Sequence, residues 1–248
     1  MSEKIYFSPS DQRRNTYAVG NTTEAIQCRQ IAQYAVEAAK RCGFEAMTNV
    51  TDNGDDAMDK RIQESNAWGA DVHIPIHTNA FNGSVAGTRM FCYDGSGEGY
   101  KICKAIMDTL APITPGESDS ITAKHYDEVL YANAPTAYLE IGFHDNVTEA
   151  RWIIDHKQEI AEAIVKGLCN YYGVSYVAPA TSQPVQPSTP AASQPEQPSA
   201  PASGGKLYRV HNADGKQVGA YRVEANAFAE AKRQLETTGK ATITLIDG

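Results

Sequence analysis

Several common protein classes are excluded by what this chain lacks. It has no run of about 18 apolar residues, so no helical membrane span is written in it. It has no excess of positive charge. Its 22 Lys and Arg stand against 30 Asp and Glu, for a net −8. That argues against generic nucleic-acid binding, which needs a basic face to neutralise phosphates. Its five cysteines, Cys28, Cys42, Cys92, Cys103 and Cys169, are scattered and form no CxxC pair. Such a set is neither a disulfide framework nor a thiolate metal site. It suits buried, reduced thiols in a protein made in a cytoplasm. Met1 to Phe7 lacks the basic start, apolar core and small-residue cleavage site of a signal peptide. A protein made without such a signal reaches a target outside the cell only after release.

A 42% hydrophobic content over 248 residues is enough for a substantial core. From Val177 to Gly205 the composition changes. This stretch holds seven of the twelve prolines, and its only charge is Glu196. It cannot bury enough apolar surface to offset its ordering entropy, and its prolines favour an extended, semi-rigid spacer. Three segments follow: a domain over 1–176, a Pro/Ser/Gln/Ala-rich linker over 177–205, and a small domain over 206–248.

In the first domain strand and helix patterns alternate. Strands are expected at Lys4–Phe7, Phe44–Asn49, Asp71–His77, Gly87–Tyr93 and Thr136–Ile141. Helices are expected at Thr23–Cys42, Met58–Trp68 and Gly97–Leu110, with a long closing helix at Thr148–Tyr172. This order implies an α/β fold, a mixed and mostly parallel sheet with helices on both faces. The second domain reads as a ββαβ unit: strands Leu207–His211 and Gln217–Val223, helix Glu224–Thr238, and strand Ala241–Ile246. Its seven Lys and Arg against five Asp and Glu make it mildly basic.

Period-two alternation puts Val72, Ile74 and Ile76 on one face of their strand and His73 and His77 on the other. The two histidines are roughly 13 Å apart along the strand, too far to share one metal ion. The strand end favours His77 as a ligand. Glu140 sits within an apolar strand, where burial would raise its pKa toward what a general base needs. Glu24 follows Asn21 at a helix start and reads locally as part of a capping box with Asn21 as N-cap.

In order, these fragments resemble the zinc-dependent N-acetylmuramoyl-L-alanine amidases of the Amidase_3 family, over residues 4–174. The matching pieces are Glu24 at the helix start, His77 in Pro75–Asn79, Gly87–Thr88–Arg89, and Glu140 in Leu139–Phe143. The resemblance implies one Zn²⁺ held by Glu24, His77 and a third ligand, with Glu140 as the catalytic base. The family usually places that third ligand, a His, in the loop after the first strand. Here the loop reads Ser8–Pro9–Ser10–Asp11–Gln12 and has no His. Its opening is similar to a branch beginning Ser-Pro-Ser-x-Gln, which favours Gln12. Asp11 is the alternative, because an anionic oxygen binds zinc more tightly than an amide. His144 is a further candidate if its loop folds back. A chain that had lost zinc would be a wall-binding protein without activity.

The implied reaction cuts the amide between the lactyl group of N-acetylmuramic acid and L-alanine in peptidoglycan, as in an endolysin or autolysin. The loop Thr114–Tyr131 is expected to border the cleft, with Asn79, Arg89, Glu128 and Asn133 as substrate contacts. The segment from Lys216 to Gly239 is similar to the SPOR module, a binder of peptidoglycan glycan, at about half its length. Tyr208, Arg209 and Tyr221 are its expected sugar contacts.

Overall fold

A computed structural model describes residues 2–51, 57–179, 207–211, 213, 217–221, 240 and 242–246. The chain divides into two compact units, Met1–Pro184 and Val185–Gly248.

The first unit carries one six-stranded sheet. Its strands are β1 (Lys4–Pro9), β2 (Glu45–Thr48), β3 (Val72–Asn79), β4 (Arg89–Cys92), β5 (Ser120–Ala123) and β6 (Tyr138–Phe143). Their order is β2-β1-β3-β6-β4-β5. All neighbours are parallel except β4 and β6, which are antiparallel. The sheet is thus mixed and mostly parallel. The helices are α1 (Glu24–Arg41), α2 (Met58–Trp68), α3 (Glu98–Leu110), α4 (Asp127–Tyr131), α5 (Val147–Asp155) and α6 (Lys157–Tyr172). No helix among the described residues is long and apolar enough to cross a membrane.

Alternation along the strands decides the layers. Ile5 and Phe7 of β1, Val72, Ile74 and Ile76 of β3, and Leu139 and Ile141 of β6 all belong to one buried apolar cluster. α1 adds Cys28, Ile31 and Ala35, α3 adds Ile102 and Ile106, and α6 adds Ile164 and Leu168. Burying each of the larger side chains is worth about 1.5–3 kcal/mol. Gly167 lets α6 lie against α3, because a Cβ there would come within 2.5 Å of the Ile106 Cα. α2 and α4 meet the opposite face, where Tyr6 donates to Glu64 at 2.5 Å. All five cysteines are buried free thiols.

Three features depart from the expected elements. The stretch after α3 contains a 3-10 turn at Ala111–Ile113, the edge strand β5 and the short helix α4, where a loop was expected. Elements of four or five residues are too short to show a period. The long closing helix is broken at His156 (φ −118°, ψ 24°), whose ring nitrogen Nδ1 bonds the Trp152 carbonyl at 2.8 Å. α1 is capped by Thr23, with Glu24 as its first residue and no side-chain cap, while Asn21 sits at φ 47°. The capping-box reading of Glu24 therefore does not hold, because its carboxylate is engaged elsewhere.

In the second unit β7 (Leu207–His211), β8 (Gln217–Tyr221) and β9 (Thr242–Ile246) form an antiparallel sheet in the order β8-β7-β9. Tyr208 is the register partner of Tyr221, and Arg209 pairs with Ala220 and Thr244. The expected helix 224–238 and the linker from 180 onward lie outside the described residues.

Candidate active site

The polar face of the sheet carries a row of register partners at the C-terminal ends of β3 and β6. His77 is paired with Glu140, and Glu140 with Arg89. Partners in register share a face, so these three side chains project to the same side. A bulge between His77 and Asn79 ends the row and re-aims the chain.

His77 is the hub. Its Nδ1 lies 2.9 Å from Glu24 Oε1 and 3.4 Å from Gln12 Nε2. Asn15 Nδ2 donates to Gln12 Oε1 at 2.5 Å and to Glu24 Oε2 at 2.7 Å, tying the two together. The Tyr138 ring stacks on the imidazole at 4.6 Å and 17°. The other ring nitrogen, Nε2, lies 3.4 Å from Glu128 Oε2. The second Glu128 oxygen accepts from Ser8 and lies 3.3 Å from His73 Nε2. His73 in turn bonds Ser65 at 3.0 Å and stacks on Tyr6.

Burial disfavours charge on His77, but its hydrogen bonds to Glu128 and Glu24, followed by the charges of Glu128 and Glu140, hold its pKa up at about 10. Burial also pushes Glu24 upward, but the hydrogen bond and charge of His77, with help from Asn15 and Ser10, outweigh it and keep its carboxyl low. Glu128 behaves likewise. Burial raises it, and the bonds to His73 and His77 carry it well below the usual carboxylate range. Glu140 differs. It is 9% exposed, and its Oε2 has no hydrogen-bond partner. Burial drives its carboxyl up to about 7, although the nearby His77 charge pulls the other way.

The loop after β1 separates its two candidates. Gln12 lies against His77, whereas Asp11 turns away. Asp11 Oδ2 accepts from the Met58 amide at 3.2 Å and lies 4.0 Å from Arg61 Nη1. His144 is not folded back onto His77. It bonds Thr78 through Nδ1 and stacks on Tyr17. Among the described residues no three His, Cys, Asp or Glu side chains are gathered as metal ligands. The donors that converge are one imidazole nitrogen, one carboxylate and one amide. Two ligands held at about 2.0–2.1 Å by a tetrahedral zinc ion lie about 3.4 Å apart. Glu24 Oε1, 2.9 Å from His77 Nδ1, is within reach of one shared ion, whereas the Gln12 atom nearest that nitrogen is its amide nitrogen, and only its oxygen could ligate a metal.

The four expected substrate contacts fall in different places. Asn79 and Arg89 line one cavity of about 300 Å³ together with Phe81, Val85 and Phe143. Glu128 is 1% exposed and turned inward to the two histidines, so it belongs to the scaffold of the site. Asn133 lines a separate cavity with Tyr93 and Glu98, and its amide is held by Asn66 at 2.7 Å. Asn15 and Tyr138 were not singled out from the sequence. The first touches both Gln12 and Glu24, which no local pattern reveals. The second is two residues from Glu140, and that spacing is the one signal that placed it on the same face.

The fold is that of amidase catalytic domains. The catalytic domain of an N-acetylmuramoyl-L-alanine amidase from Bacillus (Paenibacillus) polymyxa superposes with a TM-score of 0.62 at 16% identity, covering 71% of this chain and 100% of that one. An amidase from Clostridium difficile 630 gives 0.59 at 20% identity, over 69% of this chain and 97% of that one. The catalytic domain of an endolysin targeting Clostridia difficile gives 0.56 at 20% identity, over 68% and 97%. Residues 10–170 match the family model described as N-acetylmuramoyl-L-alanine amidase, and the chain belongs to that family. An uncharacterized cell wall amidase of Bacillus anthracis is 28% identical over 132 residues, 48% of this chain. The match spans about a quarter of that relative, 24% of its length.

Proposed function

We propose that the chain is a zinc-dependent peptidoglycan amidase that cleaves between the lactyl group of N-acetylmuramic acid and L-alanine. The observation that carries this is the convergence of Glu24 and Gln12 on His77 Nδ1, with the unpartnered oxygen of the buried Glu140 on the adjoining strand. Glu24, His77 and Gln12 would hold the ion, Gln12 through the amide oxygen that accepts from Asn15. When bound, zinc supplies Lewis-acid polarisation of the scissile carbonyl and acidifies a water molecule.

Glu140 does the proton work. A carboxyl titrating near 7 takes a proton from the attacking water and later gives it to the departing alanine amine. The carbon–nitrogen bond breaks as the new carbon–oxygen bond is kept. The products are the free lactyl carboxylate and a peptide with a new N-terminal alanine. Tyr138 packs against the imidazole and helps exclude water from one side of it.

The same reading gives the small unit a role in holding the enzyme to glycan, through Tyr208, Arg209 and Tyr221. It also gives the enzyme a place in wall lysis, as an endolysin or autolysin. The test is zinc content of purified protein together with the release of N-terminal alanine from peptidoglycan. Stoichiometric zinc and alanine release are expected. The amide in the donor set favours one other reading, a wall-binding amidase fold without metal. Absence of both zinc and alanine release would decide for it.

A further inference from the structure

Arg89 is a full positive charge with neutral partners. Its Nη2 donates to the Ser118 hydroxyl at 2.7 Å and its Nη1 to the Ser120 hydroxyl at 3.3 Å. Its guanidinium lies 5.9 Å from the centre of the Phe143 ring. Three acids lie near it: Glu140 is its register partner on β6, Asp119 accepts from the Thr88 amide at 2.7 Å, and the fully buried Glu149 accepts from the Gly87 amide at 2.9 Å and the Phe143 amide at 2.7 Å. A guanidinium presents five donors in a planar fork that suits a carboxylate.

The surroundings are pre-formed. Gly87 sits at φ +126°, and a Cβ there would come within 2.6 Å of the Ser118 amide nitrogen. That close approach is what brings Ser118 to the Arg89 fork. In the turn after β6, the Asp145 carboxylate accepts from the Phe81 amide at 2.9 Å and the Gly83 amide at 2.8 Å, pinning the loop after β3. Phe81 is held on this loop with its ring 75% exposed. Asn79, which also lines the cavity, is fixed by its Oδ1 accepting from the Ala80 amide at 2.8 Å.

Of two cavities of about 300 Å³, one is lined by His77 and the other by Arg89, the register partner of Glu140. The one on the α4 side is lined by Tyr126 and Tyr138 and by three acids, Asp11, Asp127 and Glu128, against Arg61 and His77, each of which lies by one of those acids. The one on the β4 side holds Arg89 and no acid. The two arms of the substrate differ in the same way. N-acetyl sugars are neutral once the lactyl carboxyl is in the amide, whereas the peptide arm carries carboxylates. Tyrosine faces suit the sugar.

We propose that the Arg89 cavity is the subsite for the peptide arm and binds a carboxylate on the residue after L-alanine. The distance allows it. One residue spans about 3.3–3.6 Å, and Arg89 stands on the strand next to Glu140. This subsite rests on the amidase reading above, and it would make the enzyme sensitive to whether that carboxylate is free or amidated.

The test uses the full chain and two soluble substrates, N-acetylmuramoyl-L-Ala-D-Glu-L-Lys and its counterpart with D-isoglutamine in place of D-glutamate. The wild type is expected to prefer the free acid about tenfold in kcat/KM, the size of one charge-assisted hydrogen bond. Arg89→Gln removes the charge and the forked donors and leaves a shorter, neutral amide. It is expected to raise KM for the acid form about tenfold, leave kcat unchanged, and leave the amidated form unaffected. Phe81→Ala, at an exposed position, should raise KM for both forms equally. Equal cleavage of the two forms by wild type, or equal losses on both in Arg89→Gln, would overturn the subsite. Failure of wild type to cleave either form would instead overturn the amidase reading and the subsite with it.

Discussion

Neighbouring residues of β3 have opposite surroundings. Ile74 and Ile76 lie in the apolar cluster with residues of α1 and α6, whereas His73 and His77 meet carboxylates from α1 and α4. β6 repeats the pattern, with Leu139 and Ile141 in the cluster and Tyr138 and Glu140 on the other side. Every residue in these strands is largely buried, so exposure does not distinguish the faces. What distinguishes them is satisfaction. The apolar face needs only packing, while the polar face is costly unless each group finds a partner. The one buried carboxylate oxygen among these groups that finds none belongs to Glu140, the residue assigned the proton transfer.

The largest expected effect separates the faces by function. Glu140→Gln should lower turnover by about 10²–10⁴-fold, the usual contribution of a positioned general base. Zinc content should not change, which metal analysis beside an alanine-release assay would show. Equal loss of zinc and activity would mean that Glu140 holds the site together and does not move protons.

The apolar face should answer in stability. Ile74→Ala is expected to cost about 2–5 kcal/mol in urea denaturation. Zinc affinity of the molecules still folded should match the wild type. A large loss of affinity would show that the two faces are mechanically coupled.

Next in size is the scaffold behind His77. A carboxylate on the far nitrogen of a ligating histidine fixes its orientation and typically matters 10–100-fold in metal affinity. Glu128→Gln should weaken zinc binding within that range, read by competition with a chelator. In the loop after β1, Gln12→Ala should weaken binding and Gln12→His strengthen it, while Asp11→Asn should do neither. A response at Asp11 would show that the loop rearranges to coordinate metal.

The smallest effect concerns the metal-free protein. Glu140 holds its proton to about 7 in the fold and would release it near 4.5 when unfolded. As pH rises through that window the unfolded state sheds the proton first, so stability falls, and above about 7 the cost is constant. Glu140→Gln removes the cost. It should match the wild type at pH 4 and exceed it at pH 8 by on the order of 2 kcal/mol, seen as a pH-dependent gap in melting.

The alternating β and α patterns were enough to read a mixed, mostly parallel sheet, because a buried strand must show its period to the layer that covers it. They failed at β5 and α4, which are too short to carry a period, and at His156, whose non-helical backbone divides an otherwise helical stretch. The face shared by His73 and His77 was legible for the same reason as the sheet. The direction of Glu128 was not, because its partner His77 lies 51 residues earlier, and only the β3-β6-β4 strand order brings α4 over that histidine.

The sequence by itself determined the strand faces, the family, and which strand ends hold His77 and Glu140, since local periodicity and short motifs act over a few residues. Only the tertiary structure decided that Gln12 and not Asp11 faces the imidazole, that Glu128 stands behind it, and that Arg89 lies one strand from Glu140. Those are questions of loop path and strand order, set by packing between segments far apart in the chain.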